Sequence, residues 1–166
     1  KKLRVIDASK LNIKNPYNII SNLNSILIQT SDLKKFSKKD FTIVSRIKPN
    51  KKTLNNLIFA FNVCRRAKSN AIVLVNNETT IGIGSGQTSR IDSCKIAINK
   101  MNKFQNDLHN SKILAASDAF FPFLDGIETL VQSGVSAIIQ PSGSIRDKEI
   151  IKFANQTGTI LVFCKT

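Results

Sequence analysis

Three short segments and one asparagine hold the residues able to do chemistry. Gly82-Ile83-Gly84-Ser85-Gly86-Gln87-Thr88-Ser89-Arg90 reads as the end of a strand running into a helix. Glycines let a ligand approach the backbone, and the first N–H groups of a helix attract anions. Arg90 falls in the first helical turn, where it opposes the helix dipole. Its placement makes better sense beside a phosphate or a carboxylate. The spacing is neither GxxxxGK(S/T) nor GxGxxG, so it predicts no nucleoside triphosphate or dinucleotide site. The competing reading is a glycine turn and a helix cap, with Arg90 solvated.

Ser117-Asp118-Ala119-Phe120-Phe121-Pro122-Phe123-Leu124-Asp125-Gly126 sets three Phe and a Pro between two acids, just after a strand. An acid among aromatics tends toward a raised pKa, which suits proton transfer or hydrogen bonding to a heterocycle. A flat ligand could stack on the rings. Equally, the Phe residues could be core and the Asp residues caps. Pro141-Ser142-Gly143-Ser144 is a small-residue turn before a helix and could line a ligand site or simply cap. Asn70, at the start of a strand, could contact a ligand or satisfy a turn.

Other chemistry is excluded. His109, the lone histidine, lies in a polar stretch and reads as surface loop. With Cys64, Cys94 and Cys164 scattered along the chain, it forms no metal-ligand spacing and no Ser-His-Asp context. The three cysteines form no disulfide framework and read as reduced cytosolic thiols. RNA-binding aromatic signatures are absent.

These residues need strand ends to hold them. Leu3–Ile6, Ile26–Gln29 and Phe41–Val44 read as strands, and Asn12 to Asn24 as an asparagine-rich loop. Leu54, Leu57, Ile58 and Phe61 predict a helix from about Lys52 to Ala67, with Thr53 as its cap. Ala71–Val75 and Thr79–Gly84 read as a hairpin turning at Asn76-Asn77. Ser89-Arg90-Ile91-Asp92 and Ser144-Ile145-Arg146-Asp147 are capping-box patterns opening helices to about Asn102 and Gln156. Ile113–Ala116, Val135–Gln140 and Thr159–Cys164 complete the strands, and Asp125–Ser133 is a helix closed by Gly134. Alternating strands and helices predict an α/β fold, a mixed and mostly parallel sheet with helices on both faces. Ligands gather at the strand ends of such sheets.

The 166 residues suit about one domain at roughly 100–200 residues each, and 42% apolar content supports a real core. No run is long and apolar enough to span a membrane, and no apolar stretch follows Lys1-Lys2-Leu3-Arg4 as a signal peptide requires. The first residue is not Met, which reads as a processed chain or an excised piece. The net charge of +14 points first to nucleic acid. Yet residues 1–68 carry +13 and residues 69–166, which hold every segment above, carry +1. The excess is mostly Lys, alongside abundant Asn and Ile, as AT-rich codon usage favours. An anionic partner is the other reading.

KSNAIVLV, TTIGIGSGQTSRIDS, AASDAFFPFLDGIE and AIIQPSGSIRDKEII together resemble the bifunctional purine biosynthesis family, which joins an AICAR formyltransferase to an IMP cyclohydrolase. The resemblance is clear from about Thr53 to Thr166 and weaker around Ile26–Lys48. It implies a cytidine-deaminase-like three-layer fold without the deaminase zinc signature, hence no catalytic metal. It implies residues 1–51 as a basic connecting segment and 52–166 as the C-terminal subdomain of the formyltransferase. The implied reaction moves a formyl group from 10-formyltetrahydrofolate to the 5-amino group of AICAR, in a cytoplasmic homodimer without nucleic-acid or membrane partners.

Carried over by motif, Asn70 stands near the reacting amine. Gln87, Arg90 and Phe120 belong to the AICAR site. Ile91, Pro122, Phe123, Asp125 and Ser144 belong to the folate side, with Asp125 an anchor for the pterin. The family's Lys-His pair has no counterpart here, nor has its Arg-His tail. The resemblance therefore implies an excised portion that is inactive alone. The alternatives are a basic nucleic-acid-binding α/β module, or an interaction fragment whose glycine and Phe segments only pack.

Overall fold

Asparagine richness conceals a strand near the start of the chain. β1 (Tyr17–Asn22) pairs antiparallel with β2 (Ser25–Thr30), from Tyr17↔Thr30 to Asn22↔Ser25. Tyr17, Ile19 and Ile20 have the branched or aromatic side chains that suit a pleated surface. Asn22 serves the turn, its side-chain oxygen accepting the Leu23 N–H at 2.8 Å. The loop expected over Asn12 to Asn24 is thus a hairpin from Tyr17 onward. The computed structural model describes residues 4, 6, 7, 10, 17–32, 34, 36–104 and 112–165, in two units, Lys1–Phe36 and Ser37–Thr166. Leu3 and Val5 of the strand expected at Leu3–Ile6 lie outside the described residues, as does the whole loop expected around His109.

The second unit is built on a six-stranded sheet. Its strands are β3 (Phe41–Ile43), β4 (Ile72–Asn76), β5 (Thr79–Gly84), β6 (Ile113–Ser117), β7 (Val135–Pro141) and β8 (Ile160–Cys164), in the order β3-β8-β7-β6-β4-β5. β6–β7 and β7–β8 are parallel; β3–β8, β4–β6 and β4–β5 are antiparallel. The sheet is therefore mixed, with its parallel part confined to the strands joined by single helical crossovers. β4 and β5 are forced antiparallel by a tight turn, whose positive-φ residues are Asn77 and Glu78. Because β3 pairs with β8, residues 37–51 belong with this unit rather than with a separate connecting segment.

The four helices are α1 (Lys51–Cys64), α2 (Arg90–Phe104), α3 (Asp125–Gln132) and α4 (Asp147–Thr157). α1 is capped by Asn50, not Thr53: the Asn50 side chain accepts the Thr53 N–H at 2.8 Å. Its buried face is Thr53, Asn56, Leu57, Ala60, Phe61 and Cys64, with Leu54 and Ile58 only half-buried. The stripe is rotated because Asn56 turns inward to accept the Glu78 N–H at 2.5 Å, tying the β4–β5 turn to the helix. At α2 the cap forms, Ser89 Oγ accepting the Asp92 N–H at 3.2 Å. At α4 it does not. Ser144 Oγ accepts the Arg146 N–H at 3.1 Å and Asp147 Oδ2 accepts the Gly143 N–H at 2.9 Å, so both close the preceding turn instead. Gly158, at φ 70°, ends α4 in the left-handed conformation glycine adopts without penalty.

Strand side chains alternate between faces. Ile72, Leu74, Ala115, Ile138 and Leu161 join Cys94, Ala97, Ile127, Leu130, Ile150 and Ala154 in one apolar cluster beneath α2, α3 and α4. Val73, Val75, Ala116 and Ile139 point the other way, toward α1, which packs on β4, β6 and β7. Helices thus cover both faces. α2 lies unusually close to β5: a Cβ at Gly82 would meet the Ala97 carbonyl, and one at Gly84 the Ser93 carbonyl. That approach sets where the α2 N-terminus, and Arg90, can lie.

Candidate functional site

At the carboxyl ends of β5 and β6 the chain leaves a cleft of about 490 Å³. Its floor is a polar cluster built by strand ends meeting the α2 N-terminus. Arg90 Nη1 donates to Asp118 Oδ1 at 2.6 Å and to Ser117 Oγ at 2.9 Å, and Nη2 donates to Asn70 Oδ1 at 2.8 Å. The Arg90 side chain is only 9% exposed and Asp118 only 12%, so the pair is shielded from solvent. The expectation of an anion beside Arg90 is met by the chain's own carboxylate. Arg90 is not a bare cation awaiting an anionic ligand.

Asn70 is held at every polar atom. Its Nδ2 donates to the Gln87 carbonyl at 3.0 Å, its N–H to the same oxygen at 3.3 Å, and its own carbonyl accepts from Ser93 Oγ at 2.8 Å. The Ser69–Asn70 peptide is cis. Asp118 is equally fixed, its Oδ1 accepting the Ala71 N–H at 2.9 Å while its N–H donates to the Ala71 carbonyl at 3.2 Å. Burial pushes the Asp118 carboxyl up, but hydrogen bonds from Ser69, Arg90 and the Ala71 N–H, with the Arg90 charge, outweigh it and hold the pKa below the ordinary value. A raised pKa among the phenylalanines is not what this acid shows, because Arg90 and not the rings faces it.

The walls are aromatic. Phe120 is 39% and Phe123 55% exposed, whereas Phe121 is 1% exposed and belongs to the core. Phe121 lies against Gly126, where a Cβ would come within 2.7 Å of its ring, so glycine there lets the aromatic loop dock on α3. Asp125, exposed at the start of α3, accepts its neighbour Gly126 N–H at 2.7 Å.

Of the nine residues expected at the site, Asn70, Arg90, Ile91, Phe120, Pro122, Phe123 and Asp125 line this cleft together. Gln87 and Ser144 do not line it. Gln87 contributes its backbone carbonyl to Asn70 while its side chain turns back to the Ser85 carbonyl at 3.0 Å. Ser144 sits in the loop ahead of α4, whose Arg146 guanidinium stacks 5.1 Å from the Phe123 ring centroid. Sequence reasoning treated Ser117 and Asp118 as flanks of an aromatic run. The available signal was a Ser-Asp pair ending a buried strand, with an arginine at a neighbouring helix N-terminus. Among the described residues no three His, Cys, Asp or Glu side chains converge as a metal would require.

The molecule is thus an α/β protein, a helix-covered mixed sheet with a cleft at its strand ends where Arg90 and Asn70 meet exposed phenylalanines. The family model of the AICARFT/IMPCHase bienzyme matches residues 1–100. The bifunctional purine biosynthesis protein PurH of Buchnera aphidicola subsp. Schizaphis graminum is 48% identical over 142 residues, covering 86% of this chain and 27% of that protein. PurH of Pelodictyon phaeoclathratiforme is 45% identical, covering 83% and 26%; PurH of Limosilactobacillus reuteri is 40% identical, covering 97% and 31%. The chain belongs to the AICARFT/IMPCHase bienzyme family.

It spans roughly a quarter to a third of the length of these relatives. The family match includes the basic first segment, where the sequence resemblance is weak. A solved apo dCMP deaminase from the cyanophage S-TIM5 aligns over 69% of this chain and 98% of that one at 16% identity and a TM-score of 0.42, too low to carry an argument.

Proposed function

We propose that this chain forms part of the formyltransferase of a bifunctional purine biosynthesis enzyme, transferring a formyl group from 10-formyltetrahydrofolate to AICAR. The enzyme's second activity, IMP cyclohydrolase, would then close the purine ring. The observation that carries the reading is the convergence of Asn70, Arg90, Phe120 and Asp125 on one cleft in a member of this family.

In the proposed reaction the AICAR 5-amino nitrogen attacks the formyl carbon. The C–N bond to folate N10 breaks, the amine loses a proton and N10 gains one. Asn70 Oδ1 accepts an amine N–H and aims the nitrogen. Arg90 binds the polar edge of the base beside it, and Phe120 packs against its plane. Asp125 anchors the pterin, with Ile91, Pro122, Phe123 and Ser144 bordering the folate; the aromatic wall and the loop carrying Ser144 support that division. Gln87 acts through its hold on Asn70. Because Asp118 already balances Arg90, the cleft floor suits the uncharged carboxamide end of the nucleotide rather than its phosphate. The proton acceptor is assigned outside these residues, since no Lys-His dipeptide occurs in them.

The working enzyme is proposed to be a cytoplasmic homodimer without catalytic metal. Residues 52–166, with the β3 segment that pairs onto β8, belong to the C-terminal subdomain of its formyltransferase. The test is a formyl-transfer assay on the full-length gene product beside this 166-residue chain. Turnover by the full-length protein alone, with saturable AICAR binding lost on Arg90→Ala, is expected. An inactive full-length protein would sink the reading. Steeply salt-dependent nucleic-acid binding in its place would favour the basic-module alternative.

A further inference from the structure

Asp118 has no part in the reaction as written, yet its side chain is as heavily bonded as that of Arg90 beside the cleft. Its carboxylate takes the Arg90 guanidinium at 2.6 Å and the Ala71 N–H at 2.9 Å, and accepts the Ser69 hydroxyl as well. Ser69 and Ala71 flank Asn70. One carboxylate therefore holds the arginine, the Ser69 side chain and the Ala71 backbone, the last two on either side of the asparagine that the arginine contacts.

We propose that Asp118 is a positioning residue for formyl transfer, locking Arg90 and Asn70 in register before the nucleotide arrives. An arginine has five N–H donors in a fixed planar fork. Three of the bonds in this structure run from Arg90 to Asp118, Ser117 and Asn70. Anchoring the fork at these acceptors fixes the direction of its remaining donors toward the cleft. It also fixes the Asn70 amide, whose Oδ1 receives Arg90 and whose Nδ2 faces the Gln87 carbonyl. A neutral asparagine at 118 could keep its Oδ1 on the Arg90 and Ala71 donors but would lose the charge that strengthens the hold on the guanidinium. Arg90 is then less firmly pinned, and a displacement of about 1 Å at reacting groups costs on the order of 100-fold in rate.

The inference rests on the formyltransferase reading. Its test uses the full-length enzyme carrying Asp118→Asn, Arg90→Ala and both changes, with the cyclohydrolase activity of the same polypeptide as the check on folding. Asp118→Asn is expected to lower kcat/KM for AICAR by about 100-fold and leave KM for the folate within about threefold. The double variant is expected to fall no further than about threefold below Arg90→Ala, because both changes remove one unit. Ser69→Ala, which removes one donor to Asp118 and keeps the ion pair, should lose about threefold to tenfold by the same logic, and stands in should Asp118→Asn not fold.

A wild-type enzyme without formyl transfer would overturn the functional reading, and the role of Asp118 with it. An active wild type whose Asp118→Asn variant keeps its AICAR kinetics, or whose double-variant losses multiply, would overturn the Asp118 proposal alone. So would a Ser69→Ala enzyme indistinguishable from wild type where Asp118→Asn fails to fold.

Discussion

Gly84 is the position where a single added methyl should travel furthest through this structure. A Cβ there would stand 2.8 Å from the Ser93 carbonyl carbon and 2.9 Å from its Cα, and closer still to the Ser93 oxygen. Favourable carbon–carbon contact begins near 3.5 Å, so β5 and α2 must part by roughly 1 Å. The obstacle is helix backbone, which cannot rotate aside as a side chain can. Such overpacking costs about 1–3 kcal/mol. It should fall on α2 locally, because Ser93 also donates to the Asn70 carbonyl at 2.8 Å and lies less than one turn from Arg90.

At about 1.4 kcal/mol per factor of ten, amide protection along α2 should drop roughly fivefold to a hundredfold in Gly84→Ala. Hydrogen exchange followed by mass spectrometry on the full-length protein reads this directly, with α1 peptides as the unperturbed reference. AICAR binding should weaken in parallel, since Arg90 moves with the helix. If α2 protection stays within a factor of two of wild type and binding is intact, the close approach of β5 and α2 does not position Arg90 and the reasoning fails.

Gly126→Ala should displace the Phe121 ring, which lies 2.7 Å from the added carbon, and destabilise the fold by about 1–3 kcal/mol, visible as earlier urea unfolding of the region. Cys64, Cys94 and Cys164 are all buried, and burial pushes the Cys94 thiol up to about 12, so a thiol reagent at pH 8 should label them only after denaturation. Labelling of the native protein at the rate of a free thiol would contradict their burial. Asp118 contributes stability in its ionised form. That stability should be fully present above the ordinary carboxylate value of 3.8 and be lost as the pH falls from there through the depressed folded value. The acid transition should lose this component in Asp118→Asn, measured by circular dichroism against pH.

The regular elements were legible where their signals are local. The order β4-β5-α2-β6-α3-β7-α4-β8 follows from apolar alternation, glycine stops and the Ser89 cap, each written within a few neighbouring residues. The cleft was legible for a related reason. Strand ends followed by Gly84–Arg90 and by the three phenylalanines had to lie at one edge of the sheet. β1 escaped notice because asparagine lowers strand propensity and because its partner strand, not its own pattern, supplies the pairing. The α1 cap was misplaced by three residues because Asn50 and Thr53 are both competent caps by type.

By itself, then, the sequence determined the alternation of elements, the residues available at the strand ends and the family to which they belong. Long-range packing settled which strands lie side by side in the sheet and which face of α1 is buried. It also decided the fate of the Arg90 charge. Arg90 and Asp118 are separated by 28 positions and by a whole helix, and nothing in either local pattern announces the other. They meet because β4 and β6 are neighbours in the sheet and glycines bring α2 down onto β5. Inside that shielded corner the 2.6 Å pairing offsets the cost of desolvating each charge, a cost that either group alone would leave uncompensated.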